Sequence, residues 1–368
     1  MPDAEYLQFG GQAVIDGVMM RSPHYFAVAC RAPNGNIVVH TEELAKTWVG
    51  RQKWLKLPFL RGTLAILDGM ALGIKSMRFA GDVQMRPELA SPEPEALAST
   101  PSANASTPTP AAKAVPAEGL PQPAPTSTAI QSASIIGALV VGLGMGIMLF
   151  QYVPNLVAQF SSRWTGDKQG TATNFIAECA KVVIFLAYLW LIGRMAAIKD
   201  VFRYHGAEHK AINVIEAGEE LNLENATKIT RLHPRCGTSF AVIVLIVSFL
   251  FLPLVPRYPV TGAPGNLLAD TTVRVLIELC IVPLIAGVSY ELLRLAGRFR
   301  SKRIITIAFA PGLWSQQFLT TLEPEQKHLE VAIASLKAVL QAEATGEELK
   351  TDNYEAAPIE LKPVTSVA

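Results

Sequence analysis

The sequence is short of charge, of cysteine and of histidine. Charged residues make up 17% of the 368 residues, whereas a soluble domain carries about a quarter, so membrane segments are expected. The formal net charge is +1 and no long run of one sign occurs, so neither nucleic-acid binding nor a polybasic lipid clamp is predicted. The scattered cysteines exclude a disulfide framework and favour a reducing, cytoplasmic environment; they are Cys30, Cys179, Cys236 and Cys280.

The N-terminus lacks both a basic region and an uninterrupted apolar core. No secretory signal peptide is therefore predicted, and insertion into a bilayer would depend on internal segments. A second deficit is local: residues 86–128 contain very few large apolar side chains and are dominated by Pro, Ala, Ser and Thr. Such a segment buries too little surface to offset its ordering entropy. We therefore expect a disordered linker at residues 81–130.

Before the linker, residues 1–80 predict a small β unit followed by an apolar helix. YFAVAC and NIVVH flank the turn APNG, which indicates a hairpin, and FGGQAVIDGVMM is expected to be one neighbouring strand. Residues 59–77 are apolar but are interrupted by Arg61, Asp68 and Lys75. This helix is therefore expected to lie on or partly in the membrane surface rather than to cross it.

After the linker, four apolar segments predict a membrane bundle over residues 131–300. A bilayer core about 30 Å thick requires roughly 17–25 apolar residues at a rise of about 1.5 Å. The four segments are residues 135–153, 175–197, 240–255 and 273–290. The predicted fold class is mainly α: a membrane helix bundle of about four spans, with a small N-terminal β unit and a C-terminal helix, both cytoplasmic.

Charged groups lie inside two of the predicted spans. Glu178 and Lys181 are one helical turn apart, and Glu278 shares its segment with Pro283. Near a helix end, such charges can snorkel or pair with one another. Because ionisable groups within a membrane are often functional, Glu178 and Glu278 could instead line a transport path. Neither an inverted repeat nor a pair of broken helices supports transport.

Lysine and arginine cluster before the linker, between the second and third spans, and after the fourth, where the cluster is Arg294, Arg298, Arg300, Lys302 and Arg303. The positive-inside rule then places both termini and the loop 199–238 in the cytoplasm. Residues 301–345 are expected to form an interfacial segment, with Trp314 at the headgroup level, and a helix. That helix has one apolar face, which should pack on the N-terminal unit or on a partner. Residues 346–368 form a tail.

Two of only six histidines fall within one helical turn, in the segment HGAEH. If this segment is helical, His205 and His209 share a face and can converge on one ion. H-x-x-E-H is the order found in inverzincins, where the histidines bind zinc and the glutamate is the general base. The spacing therefore predicts a metal site with Glu208 as the catalytic group. Glu216 lies on the same face, as a third ligand or as a group that orients one.

The segment HPRCGTSF adds two further candidate ligands. His233 and Cys236 are separated by two residues, a spacing at which both side chains can reach one ion. Pro234 suits the first turn of a helix, which would place Cys236 near a helix N-terminus, where thiolate is favoured. A divalent ion, with zinc as the first choice, is therefore predicted. An open coordination position would make the site catalytic, and a closed His/His/His/Cys set would make it structural.

A simpler alternative needs no metal: the two histidines of HGAEH bond to their neighbours, and the later pair only caps the third span. Three other groups are weaker site candidates. Asp16 and Arg21 could complete the site if the N-terminal unit folds over it, although the glycines around them favour structural turns. Glu291 could join a charged cluster at the end of the fourth span, where a solvated helix end is the simpler interpretation.

Five motifs together resemble the YqhQ-like family of bacterial membrane proteins: FGGQAVIDGVMMR, LPFLRG, YHGAEHKAIN, HPRCGTSF and PGLWSQQFLTTLEP. The resemblance covers most of the chain outside the linker and the last residues. It implies an uncharacterised multi-pass membrane protein, described as a predicted metal-dependent enzyme. The family pattern has glutamate in the place of Asp16 and cysteine near the place of Val214. Without that cysteine, the ligand role falls to the histidines of HGAEH and to His233 and Cys236.

The sequence therefore predicts a multi-pass membrane metalloprotein that hydrolyses a peptide, amide or ester at the cytoplasmic membrane face. Its partners would be the lipid bilayer and an unknown membrane-associated substrate or protein. The alternative is a non-enzymatic scaffold or assembly factor, in which the same zinc site is structural.

Overall fold

The computed structural model describes residues 9–46, 60–86, 89, 128–167, 170–258, 265–298, 310–352 and 354. The helices are α1 Leu60–Met85, α2 Thr128–Ile147, α3 Val153–Thr165, α4 Thr171–Ile192, α5 Ala196–Glu216, α6 Leu223–Lys228, α7 Gly237–Phe251, α8 Leu267–Arg298, α9 at residues 310–315 and α10 Gln326–Thr345. The mainly α fold class with an N-terminal β unit is confirmed. Most of the predicted linker lies outside the described residues, but α1 and α2 each extend into its ends. The domain bounds stay predictions.

Five antiparallel strands form one sheet in the order β1 Gly10–Val14, β2 Gly17–Arg21, β3 Tyr25–Arg31, β4 Ile37–Glu43 and β5 Lys350–Thr351. The predicted hairpin is present as β3 and β4. The prediction of a single strand for FGGQAVIDGVMM is wrong, because this segment folds back on itself as β1 and β2. The reversal uses only Ile15 and Asp16, and Asp16 has a φ of 48°. This left-handed conformation is typical of two-residue hairpin turns, and aspartate tolerates it.

Helices cover both faces of the sheet. On one face, apolar residues of α5 and α10 share a core with Met20 and Ala27. On the other face, α1 buries Leu72 and Val83 in a second core with Phe26. The C-terminal helix therefore packs on the N-terminal unit, which is the first of the two partners predicted for it.

Four stretches of the described helices are long and apolar enough to cross a membrane: Val140–Ser162, Thr171–Ile192, Gly237–Leu254 and Leu267–Leu293. They correspond to the four predicted segments, with shifted ends. The first is longer than predicted because a π-helical turn at Met148–Tyr152 joins α2 to α3. Pro154 follows this turn in the first turn of α3, where its missing N–H is tolerated. Residues 300, 302 and 303 of the predicted basic cluster lie outside the described residues.

The sheet joins the two ends of the chain, because β5 pairs with β4. A chain that crosses a membrane an even number of times ends on the side where it started. The pairing of β5 with β4 therefore agrees with four crossings, and with the prediction that α1 does not cross. The start of α1 contacts α8 instead: Thr63 Oγ1 donates a hydrogen bond to the carbonyl oxygen of Pro283 at 2.9 Å. Gly62 permits this approach, since an added Cβ would lie 2.6 Å from the Cβ of Tyr290.

The charges inside the membrane-length helices pair with one another and do not snorkel. Lys181 Nζ lies 2.7 Å from a carboxylate oxygen of both Glu178 and Glu278. Arg274 Nε donates to Glu278 at 2.8 Å, and Asn155 Nδ2 donates to the same carboxylate at 2.9 Å. All five side chains are buried. This network links α3, α4 and α8, and both glutamates considered for transport are held by fixed cations within it.

Candidate metal centre

Helix α5 brings the HGAEH residues together as their spacing predicts. The rings of His205 and His209 meet edge to face, with centroids 4.4 Å apart. Between them, Gly206 allows another part of the chain to cross the helix closely, because an added Cβ would collide with the carbonyl oxygen of Leu322. This crossing brings the π-helical turn Gln316–Thr320, which follows α9, next to the histidines.

Backbone carbonyl groups orient both imidazole rings. His205 Nδ1 lies 2.8 Å from the carbonyl oxygen of Thr320, and His209 Nδ1 lies 2.7 Å from that of Arg231. Because a carbonyl oxygen only accepts hydrogen bonds, each Nδ1 carries a proton, so Nε2 is the nitrogen of each ring that can offer a lone pair. Burial lowers the pKa of His209, which favours the neutral ring. This orientation is typical of histidines that bind metal through Nε2.

Cys236 is the N-cap residue of α7, and its Sγ accepts a hydrogen bond from the N–H of Thr238 at 3.4 Å. Its expected place at a helix N-terminus is therefore found. The prediction that Pro234 lies in the first turn of a helix is wrong. Pro234 lies in a turn before α7, which is closed by a hydrogen bond from the N–H of Cys236 to the carbonyl of His233 at 3.4 Å. Proline suits this second turn position because its φ is fixed near the value that the turn requires.

The sulfur of Cys236 reaches the two histidines of α5. Sγ lies 3.1 Å from His205 Nε2, and the candidate ligand atoms of His205, His209 and Cys236 all lie within 4.8 Å of one another. Cys236 also has a hydrogen-bond contact with His209. Within the described parts of the chain, these three residues form the one such group of potential ligands.

His233 and Glu216 lie beside this group. The ring centroids of His233 and His209 are 5.6 Å apart, and His233 Nε2 lies 3.5 Å from Glu216 Oε2. Glu216 also pairs with Arg235. Of the two roles predicted for Glu216, this geometry favours the orientation of a histidine. A ligand role for His233 stays a prediction.

The N-terminal sheet closes over Glu208. Its side chain is buried against Gly11 of β1, where an added Cβ would lie 2.8 Å from Glu208 Cγ and 2.9 Å from Cδ. Burial raises the pKa of Glu208, whereas two neighbouring histidines and the backbone N–H of Gly11 lower it. The site is therefore built from α5, the loop before α7 and β1, so the N-terminal unit forms part of it.

The three weaker candidates lie outside the ligand group. Asp16 borders a separate polar cavity of about 190 Å³, together with Asp200, and burial raises the pKa of Asp16. Arg21 pairs with Asp68 of α1 at 2.5 Å, which ties β2 to that helix. Glu291 lies near the C-terminal end of α8. None of the three is among the residues that share the cluster.

Sequence reasoning missed Gln316, whose buried amide holds the loop before α7. Its Oε1 accepts from the N–H of His233 at 2.9 Å, and its Nε2 donates to the carbonyl of His233 at 2.8 Å. Nε2 also donates to Ser239 Oγ at 2.7 Å. The one signal in the sequence was a pair of glutamines within the otherwise apolar segment PGLWSQQFL.

The ligand group fits a zinc ion in kind and in spacing. Zn–N distances of about 2.0 Å and a Zn–S distance of about 2.3 Å at tetrahedral angles place two ligand atoms roughly 3.5 Å apart. The sulfur–nitrogen distance of 3.1 Å and the 4.8 Å limit for the whole group bracket this value. Three protein ligands leave a fourth position open, as in catalytic zinc sites. Zinc binding itself stays a prediction.

The fold and this cluster define a protein with four membrane-length helices and a candidate metal centre closed by a small sheet. The chain belongs to the family described as "Protein of unknown function (DUF1385)", whose model matches residues 57–342. It is similar to "Uncharacterized protein YqhQ" of Bacillus subtilis (strain 168), with 31% identity over 343 residues that cover 92% of this chain and 94% of that protein. No solved structure matches the chain. The family resemblance of the motifs is thus confirmed, and the family description assigns no activity.

Proposed function

We propose that this protein is a multi-pass membrane hydrolase that holds a zinc ion with His205, His209 and Cys236 and uses Glu208 as its general base. The site would lie at the cytoplasmic face of the membrane. The substrate would be a peptide, amide or ester presented at that surface. Membrane insertion is supported by four apolar helices, and the cytoplasmic side by the basic residues between the second and third spans.

One observation carries the proposal. His205 and His209 lie on the same helix, and both rings direct Nε2 towards the thiol of Cys236. Each Nδ1 is committed to a backbone carbonyl, so each Nε2 is left as a lone-pair donor. Interfacial histidines that only bond to neighbours would not need a cysteine sulfur at 3.1 Å from one of these nitrogens. Such carbonyl partners are the usual outer shell of metal-binding histidines.

Glu208 has the properties that a general base requires. Its burial raises its pKa, and a base works best when its pKa lies near the working pH. A bound zinc ion would polarise the scissile carbonyl and acidify a water molecule. Glu208 would then take the proton of the attacking water and return it to the leaving oxygen or nitrogen. The backbone N–H of Gly11, which donates a hydrogen bond to the carboxylate, would hold it in place during both transfers.

The alternative is a scaffold whose zinc is structural. It is favoured by one observation, the ring of His233 only 5.6 Å from that of His209, since a fourth protein ligand would close the site. In that case Glu208→Gln would be silent in cells, and loss of His205 or Cys236 would destabilise the protein.

The deciding experiment is elemental analysis of the protein purified in detergent. We expect about one zinc per chain in the wild type, as for a single three-ligand site. His209→Ala should lose the metal, whereas Glu208→Gln should keep it and lose hydrolysis. The control is His24→Ala, because His24 is exposed and pairs with Glu343 away from the site. Absence of metal after reconstitution would reject the proposal, and metal loss in Glu208→Gln would make Glu208 a ligand.

The proposed orientation has a separate test. Glu219 is exposed, just after α5, so a Glu219→Cys variant that lacks only the two exposed cysteines, Cys179 and Cys280, reports the side of this loop. A membrane-impermeant thiol reagent should label it only after the cells are permeabilised. Labelling in intact cells would place the site on the outer face.

A further inference from the structure

An open, mainly apolar cavity of about 840 Å³ lies beside the candidate metal centre. Most of its lining comes from α1, from Ala65 to Met85, and the rest comes from Gln12 of β1 and from Gly237 and Phe240 at the start of α7. Its volume is within the range of about 300–1,000 Å³ typical of ligand sites. Three glycines of α1 contribute to the lining and leave room along that face: Gly69, Gly73 and Gly81.

The cavity and the metal centre are neighbours at β1 and at the start of α7. Gly237, which lines the cavity, directly follows Cys236. Gln12 lines it too and follows Gly11, but successive residues of a strand point to opposite faces of a sheet. Gln12 faces α1, where it donates a hydrogen bond to the carbonyl of Gly69, whereas Gly11 faces Glu208, so β1 separates the cavity from that carboxylate.

The cavity also extends towards the membrane-length helices. The start of α1 contacts the middle of α8 through Thr63 and Pro283, and Phe240 belongs to a membrane-length stretch. From Ala65 to Met85, α1 rises about 30 Å, which exceeds the roughly 15 Å of hydrocarbon in one leaflet. One end of the cavity is thus placed for an acyl chain, and the other end lies beyond the apolar layer.

The polar end carries a cation. Arg78 lines the cavity, is exposed, and has no carboxylate partner among the residues that the structure describes. It lies about 8 Å further along α1 than Gly73, at a rise of about 1.5 Å per residue. Gly73 is level with Gln12, whose side-chain oxygen an added Cβ would meet at 2.7 Å. The acyl region, the contact with β1 and the cation therefore follow one another along α1.

We propose that this cavity binds an anionic glycerophospholipid of the cytoplasmic leaflet, with one acyl chain along Ala65 and Ile66 and its phosphate at Arg78. The inference goes beyond the proposed hydrolase and does not depend on its reaction.

Photolabelling of the full chain in lipid vesicles tests the binding site. The probe is phosphatidylglycerol with a diazirine halfway along one acyl chain, at a low fraction in phosphatidylcholine vesicles. We expect cross-links concentrated on residues 65–85. Ile66→Trp should fill the cavity and lower this labelling about tenfold. The matched control is Leu67→Trp, since Leu67 is the next residue, is 51% exposed and does not line the cavity.

Labelling spread over the outer faces of the four spans, and equal in both variants, would overturn the proposal. If Ile66→Trp does not fold, Ala65→Phe decides in the same way, because Ala65 lines the same end of the cavity. Arg78→Gln should weaken labelling by phosphatidylglycerol, and unchanged labelling would reject the phosphate contact.

Chelator-treated protein separates this inference from the hydrolase, because lipid binding in the cavity needs no metal. Cavity labelling in a chain that binds no zinc would keep the lipid site and reject the hydrolase. Zinc binding without cavity labelling would keep the metal centre and reject the lipid site.

Discussion

Gly11→Ala is expected to weaken the contact between the N-terminal sheet and the metal centre. The added methyl group would lie 2.6 Å from the carbonyl oxygen of Met19 and 2.8 Å from Glu208 Cγ. One of these partners is backbone of the neighbouring strand, so the sheet or the carboxylate must shift. Overpacking of this kind costs about 1–3 kcal/mol, which is roughly a 5- to 150-fold increase in the unfolding equilibrium constant.

The neighbouring residue supplies a matched control for this prediction. An added Cβ at Gly10 meets no atom within 4 Å, and Gly10→Ala restricts the unfolded chain by the same amount as Gly11→Ala, about 0.4–1 kcal/mol. Urea unfolding in mild detergent, followed by tryptophan fluorescence, gives both free energies. Equal values for the two variants would refute the idea that β1 is pressed against Glu208. Zinc content should be unchanged, because neither glycine contacts a ligand atom.

Gln316→Leu should leave the N–H of His233 without the acceptor it has in Gln316 and remove one of two donors from the carbonyl of His233, at a cost of about 1–3 kcal/mol for the buried N–H. It should also speed zinc loss during dialysis, whereas Gln317→Leu at the exposed neighbouring position should not; equal loss would contradict the role of Gln316 in holding the loop. Lys181→Met should cost about 3–5 kcal/mol, because two carboxylates lose their shared cation. Adding Glu178→Gln should recover part of this loss, and a double variant as unstable as the sum of the two singles would argue against a coupled network.

The helical part of the fold could be predicted because its signals are local. Four apolar segments predict four membrane-length helices from length and composition, and the spacing of His205 and His209 places both on one face of a helix. The turn at Asp16 was missed although Asp-Gly is a strong hairpin signal. The apolar residues on both sides of that turn read as one continuous strand.

The support of the site could not be predicted, because it depends on contacts between distant parts of the chain. His205 is oriented by Thr320, 115 residues later, and the loop at His233 is held by Gln316, 83 residues later. Every residue has a backbone carbonyl, so the sequence does not show which carbonyl will orient a histidine. It also does not distinguish a glutamine that will be buried from one that will be exposed. The closure of Glu208 by Gly11 likewise required the packing of β1 on α5.

The packing of α10 on the sheet also sets an order of events during synthesis. β4 ends at Glu43, whereas α10, which buries one face of the sheet, ends at Thr345. The ribosome must therefore add about 300 further residues, which takes roughly 15–60 s at about 5–20 residues per second. During that time the sheet face that α10 will bury stays uncovered, while the membrane-length helices are still being made. Strands with an uncovered apolar face readily associate with other chains. The nascent N-terminal unit therefore needs protection from aggregation until α10 has been made.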